Sequence, residues 1–84
     1  PEAEGSGNLK GSVHIVFTID QNGRVTEATV IKSEPSGVFD EHALAHIASR
    51  RYLPATRNGQ PAVYRKMEET IHYSKPVMQQ IESR

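Results

Sequence analysis

The chain has no cysteine and no tryptophan, only two phenylalanines, and no excess of either charge. Without cysteine there is no disulfide framework and no thiolate chemistry, and the compartment stays open. Ten Lys and Arg offset ten Asp and Glu, so the overall balance gives no argument for DNA, RNA or an anionic membrane surface. No apolar run is long enough to span a bilayer, and nothing reads as a signal peptide. An anchor or export signal, if the protein carries one, lies outside these residues. At 84 residues with 36% hydrophobic content, the chain supports one small domain, with one sheet face and one helix but no second layer.

What is present is organised in order. Residues 1–11 are mostly Gly, Ser, Glu and Asn, with Pro1, Ala3, Lys10 and one leucine, the composition of a linker remnant. Residues 12–75 then read as the domain. Val13, Ile15, Phe17 and Ile19 alternate with His14, Val16 and Thr18, which predicts a strand with one apolar face. Asp20 to Gly23 predicts a four-residue hairpin loop that sets Ile19 opposite Arg24, Phe17 opposite Thr26, Ile15 opposite Ala28 and Val13 opposite Val30. That register puts Ala28 and Val30 on the apolar face, and Val25 and Ile31 on the other. Glu34-Pro-Ser-Gly37 ends the second strand, with Ser36 as a turn or capping residue. Phe39, Ala43, Leu44, Ile47, Ala48 and Arg51 follow at helical spacing, with Asp40 and Glu41 in the first turn and Arg50 and Arg51 in the last. Pro54 closes this helix. Residues 56–61 form a polar turn, and a last strand runs from Ala62 to Ser74. On it Val63, Met67, Ile71 and Tyr73 share one face, and Tyr64, Lys66, Glu68, Thr70 and His72 the other. Arg65 and Glu69 interrupt the apolar side. Residues 76–84 form a tail in which Val77, Met78 and Ile81 suit a short helix. The expected fold is α+β: a three-stranded antiparallel sheet, order 2-1-3, with one main helix packed on one face.

Catalytic and metal chemistry find little support. His42 and His46 lie four apart on the helix, within reach of one zinc ion, but no third ligand stands near and the His-Glu-x-x-His order is absent. They read as solvated surface residues, and His14 and His72 as outer-face strand residues. Ser33 and Ser36 lack the flanking glycines of a nucleophile elbow. Glu68 and Glu69 are adjacent on a strand, so they face opposite ways and cannot work as a pair. Asn22-Gly23 and Asn58-Gly59 are turn signals rather than a phosphate cradle. The expectation is no enzyme, no metal and no cofactor. Arg50, Arg51, Arg57, Arg65 and Lys66 form a basic rim without interleaved aromatics, which does not suit nucleic acid.

In this order, Gly11-Ser-Val-His-Ile-Val-Phe-Thr-Ile-Asp-Gln-Asn-Gly-Arg-Val25, Val30-Ile-Lys-Ser33, Phe39-Asp with the Ala43-Leu44 pair, Arg51-Tyr-Leu-Pro-Ala55, Gly59-Gln-Pro61 and Thr70-Ile-His-Tyr73 resemble the C-terminal domain of TonB energy transducers. The likeness covers residues 11–74. It implies a periplasmic domain of a Gram-negative protein anchored in the inner membrane and coupled to ExbB/ExbD through its N-terminal part. It also implies a partner, the TonB box of outer-membrane transporters, taken up as an added strand to drive uptake of iron chelates, haem or cobalamin. The partner-binding edge then maps onto Tyr64, Arg65, Lys66, Met67, Glu68, Glu69, Thr70, Ile71, His72 and Tyr73. A second contact maps onto Arg51, Tyr52 and Pro54, the family's Tyr-x-Pro segment. Two departures stand out. The family's helical segment before the first strand has no counterpart, and its frequent tryptophan before Arg-Tyr is Arg50.

An exposed last strand is what strand addition needs. Each backbone hydrogen bond contributes about 0.5–1.5 kcal/mol net, so five or six added residues give moderate, reversible affinity. The same edge invites a weak homodimer, which Arg65, Lys66, Glu68 and Glu69 would discourage. Other readings are a TonB-like or TolA-like interaction domain of another envelope or sensor protein, a structural dimerisation domain, and a metal-dependent enzyme using His42 and His46. Metal content, and alanine changes at both histidines, separate the last from the rest.

Overall fold

The alternation at 12–19 does build a strand, and it is longer than the pattern suggested. In the computed structural model, which describes residues 8–76, β1 spans Asn8–Ile19, so it begins within the stretch read as linker. Its extension is paired: Leu9 lies opposite Lys75 and Gly11 opposite Tyr73. The remaining elements are β2 (Val25–Glu34), α1 (Asp40–Ala48), β3 (Ala55–Arg57), β4 (Gln60–Ala62) and β5 (Tyr64–Pro76). The main sheet is antiparallel in the order β2-β1-β5, the 2-1-3 arrangement expected. The tail after residue 76, with its expected short helix, lies outside the described residues.

Val13, Ile15, Phe17 and Ile19 are all buried, in one core with Phe39 and with Ala43 and Ile47 of α1. α1 lies against β2 and β1. The helix is shorter than its apolar stripe implied. It stops at Ala48, which is exposed, and Arg50 and Arg51 fall beyond its last turn. Its first residue is preceded by buried Phe39 with no side-chain cap. Ser36 does not cap it; instead Gly37 N donates to Ser33 Oγ at 3.4 Å.

The β1–β2 register departs from the expected one throughout. Ile19 pairs with Val25, Thr18 with Thr26, Val16 with Thr29, Ile15 with Val30 and Val13 with Ser33. One cause is the loop. Asp20 N donates to Arg24 O at 2.8 Å, and Asp20 Oδ1 accepts from Asn22 N at 2.8 Å and Arg24 N at 2.9 Å. This side-chain-to-backbone clasp holds Arg24 inside the turn. The second cause is a pair of register shifts that add residues to β2, with Glu27 at φ 55° beside one of them. Bulges break the period of two. The half-buried positions of β2 are therefore 25, 28, 30 and 33, and Val25 packs on the core rather than away from it.

The polar turn at 56–61 is a hairpin. Asn58 (φ 52°) and Gly59 (φ 78°) join β3 to β4 with both central residues left-handed, the backbone of a two-residue type I′ turn. It takes Ala62 out of the last strand, which starts at Tyr64. Val63 is exposed, not on the apolar face with Met67.

Candidate functional site

β5 pairs with β1 along one side, and among the described residues no strand pairs with its other side. From Met67 to Pro76 the pairing runs without interruption, from Phe17↔Met67 to Asn8↔Pro76. One shift separates Phe17↔Met67 from Ile19↔Tyr64, and Lys66 there has φ 64°. The expected edge residues thus divide at a bulge. Tyr64, Arg65 and Lys66 lie before it and are exposed. Met67, Glu69, Ile71 and Tyr73 are half-buried, and Glu68, Thr70 and His72 are exposed.

The two side-chain rows have different surroundings. On the outer row, His14 of β1 reaches across: its Nδ1 is 2.7 Å from Thr70 Oγ1 and its Nε2 3.1 Å from Glu68 Oε1. On the inner row, the Tyr73 ring stacks on Phe39 with centroids 4.3 Å apart and planes 5° from parallel. Phe39 fits because residue 11 is glycine, where a Cβ would stand 2.6 Å from the ring edge and 2.4 Å from Glu34 O. The Tyr73 hydroxyl is 2.9 Å from His42 Nδ1, and burial pushes its pKa up. His42 and His46 are exposed but not idle. Their rings stack 6.4 Å apart, and His46 Nε2 accepts from Arg50 at 3.3 Å.

Arg50 extends this i, i+4 row past the end of α1. It donates to the Tyr52 hydroxyl at 3.1 Å and stands 3.7 Å from Glu69, so the residue in place of the family's tryptophan joins the helix end to β5. The Tyr52 hydroxyl, and then the Glu69 charge, hold the Arg50 pKa above its usual value against partial desolvation. Glu69 therefore faces Arg50 while Glu68 faces His14, the opposite orientations expected.

The Arg51, Tyr52 and Pro54 segment sits at the end of the sheet where β5 begins. Tyr52 N donates to Gly23 O at 2.8 Å, and Arg51 forms an isolated antiparallel bridge with Arg24. The Tyr52 ring packs on Phe17 at 5.7 Å. Gly23 makes this seat: at φ 81° it has Tyr52 O 2.1 Å from where a Cβ would be. Arg51 is exposed and Pro54 half-buried, while Leu53 between Tyr52 and Pro54 is 93% exposed. The sequence placed Arg50 in a basic rim rather than among the contact residues, although the 42/46/50 spacing was available to point at it, and did not single out Leu53. No group of three or more metal-ligating side chains occurs among the described residues, and no described helix is long and apolar enough to cross a membrane.

Residues 1–74 match the family described as Gram-negative bacterial TonB protein C-terminal. The chain is 32% identical over 69 residues to Protein TonB of Helicobacter pylori, an overlap covering 82% of this chain and 21% of that protein. It is 30% identical over 59 residues to Protein TonB of Pseudomonas aeruginosa, covering 70% of this chain and 17% of that one. The chain thus spans about a fifth of the length of these curated relatives.

Proposed function

This chain belongs to the TonB C-terminal family, and from that premise we propose that it is the transporter-grasping, force-transmitting end of a TonB-like energy transducer. It works in the periplasm of a Gram-negative cell, carried by an inner-membrane anchor and driven by ExbB/ExbD through parts of the protein beyond this chain. It takes the TonB box of an outer-membrane transporter as a further strand on the outer edge of β5, beside residues 64–73, with Arg51, Tyr52 and Pro54 as a second contact. Pulling on that strand then drives uptake of iron chelates, haem or cobalamin. In the absence of a guest, the same edge permits a weak homodimer.

One observation supports this reading above others: the unbroken run of β5 from Met67 to Pro76 has a partner on one side only among the described residues. Backbone groups on a vacant edge are a template for another extended chain. The inner row offers a guest Met67 and Ile71, and the outer row offers Thr70 and His72. Beside that edge, Val13, Ile15 and Phe17 of β1 share one buried core with Ala43 and Ile47 of α1.

The test is amide chemical-shift mapping with short transporter-derived peptides. The largest shifts are expected at residues 67–73. Methylating peptide nitrogens one at a time should weaken binding at alternate positions only, since in a paired strand every second N–H faces the neighbour. Met67→Pro and Ile71→Pro should each lower affinity at least tenfold, by removing a donor and bending the edge. Unchanged affinity in both proline variants, or methylation effects without alternation, would exclude strand addition on β5.

A further inference from the structure

The zero net charge of the chain hides a segregation. At the end of the sheet where β5 begins, Arg24 and Arg51 are bridge partners, and Arg65 and Lys66 follow directly on Tyr64, which pairs with Ile19 at the mouth of the same loop. All four are exposed. Asp20 is the carboxylate of that loop, and its Oδ1 is committed to two backbone N–H groups. The next carboxylates along these segments, Glu27 and Glu68, are engaged by Thr18 at 3.1 Å and His14 at 3.1 Å.

Amid these cations stands the most exposed large apolar group among the described residues. Leu53 is 93% exposed, with Val63 at 40% and Tyr64 at 47%. The β3–β4 ladder ends at Ala55↔Ala62, so Pro54 and Leu53 leave one strand where Val63 and Tyr64 leave the other. Leu53, Val63 and Tyr64 are thus exposed together at this end of the fold. An exposed leucine and tyrosine ringed by Arg and Lys matches an interface of apolar chains beneath anionic headgroups.

We infer that this tip, Leu53 with Val63 and Tyr64 inside the Arg24, Arg51, Arg65 and Lys66 ring, is a docking surface for an anionic phospholipid bilayer. Lys and Arg draw the tip to the headgroups, and Leu53 enters the interface. An acidic peptide would satisfy the cations but offer nothing to Leu53, which an interface of apolar chains would cover. Arg51 and residues 64–66 are shared with the proposed peptide contacts, so lipid competes there, while the Met67–Pro76 edge of β5 stays open to a strand.

The 84-residue chain would be sedimented with vesicles of phosphatidylcholine alone and of phosphatidylcholine mixed with phosphatidylglycerol. Partitioning should be at least about tenfold higher on the mixed vesicles and should fall steeply with added salt. Leu53→Ser should cut it several-fold while leaving the circular dichroism and the peptide-induced shifts at 67–73 intact. Arg51→Ser with Arg65→Ser should lower it about tenfold. Equal partitioning on both vesicle types overturns the inference, as does insensitivity to Leu53→Ser. So does binding of a Glu-rich peptide by the same arginines without vesicle binding. Because vesicle binding is read separately from peptide shifts, either result can fail alone.

Discussion

Gly23→Ala offers a controlled measurement of how strongly the Tyr52 segment is seated. Three glycines share nearly one backbone conformation: Gly23 at φ 81°, Gly37 at φ 79° and Gly59 at φ 78°. A Cβ at Gly37 or Gly59 would meet nothing within 4 Å, whereas at Gly23 it would lie 2.1 Å from the Tyr52 carbonyl oxygen. Left-handed strain alone costs an alanine about 1–2 kcal/mol, and this should be the whole effect at Gly37 and Gly59. At Gly23 the obstruction is backbone, which cannot rotate aside. Moving it adds overpacking of about 1–3 kcal/mol and risks the Tyr52 N–H to Gly23 O bond, worth about 1 kcal/mol. Gly23→Ala should therefore cost about 3–6 kcal/mol in urea unfolding, out of a total of roughly 4–13 kcal/mol for a chain this size. In a domain of this length each kcal/mol lowers Tm by about 4–8 °C, so the three variants separate clearly. If Gly23→Ala shares its urea midpoint with both controls at equal slope, the close approach of residues 23 and 52 does not stabilise the fold.

Acid unfolding should report on the Asp20 clasp. Its N–H bonds, that from Arg24 first, hold the Asp20 carboxyl below the ordinary 3.8. A lowered folded value means the contribution is complete above pH 3.8 and drains away as pH falls through the lowered one. Asp20→Asn should thus flatten the stability profile below about pH 4, and an unchanged acid limb would refute the clasp. At the other limb, burial raises the Tyr73 phenol above its ordinary 10.0, so its contribution persists below that pH and is lost as pH rises through the raised value. Tyr73→Phe keeps the Phe39 stack and should cost only about 0.5–1 kcal/mol, whereas Tyr73→Ala should cost about 2–3 kcal/mol by emptying the site beside Phe39. Equal midpoints for the two variants would mean that the stack is ornamental.

Element types and sheet order were legible because their signals are periodic and local. Val13 to Ile19 carries a period of two, and the apolar residues of α1 carry the helical period. What the sequence did not disclose are the places where backbone geometry breaks period. Glu27 and Lys66 are ordinary residues with positive φ, and nothing in their side chains announces a bulge. Each shifts register, and the one at Lys66 is why Val63 turns outward. Val25 turns inward because the loop holds Arg24 and sets Val25 opposite Ile19. The β3–β4 hairpin was visible as Asn58-Gly59 but lacked alternating apolar flanks. Gly11 looked like linker composition because its role, making room for Phe39, depends on a residue 28 positions away. The candidate edge follows from topology and was legible to that extent. The ties that orient its neighbours were not: His14 to Thr70, His42 to Tyr73 and Arg50 to Glu69 join residues far apart in sequence, with the helix-flank spacing of 42, 46 and 50 as the one local hint.

The sheet has two outer strands, and the choice between them rests on how each is defended. β2 carries both register shifts of its ladder, has α1 against it, and is preceded by Arg24, which Arg51 bridges. Bulges and covering segments are how proteins blunt an edge, so β2 has the features of a protected margin. β5 has its one shift near the start and then continues in register from Met67 to Pro76. Two of the charges that could repel another strand are also engaged, Glu68 by His14 and Glu69 by Arg50, leaving Arg65 and Lys66 exposed at the bulge. Repulsion is therefore concentrated at one end of β5 rather than spread along it. A guest pairing with residues 67–73 avoids that end unless its own flanking residue is acidic, in which case the same cations attract it. A second copy of this edge, laid antiparallel about Thr70, would set Lys66 opposite Ser74 and bring no such gain. Register with a guest can thus be favoured by charge while self-pairing is not, which suits an edge that must stay available for another chain.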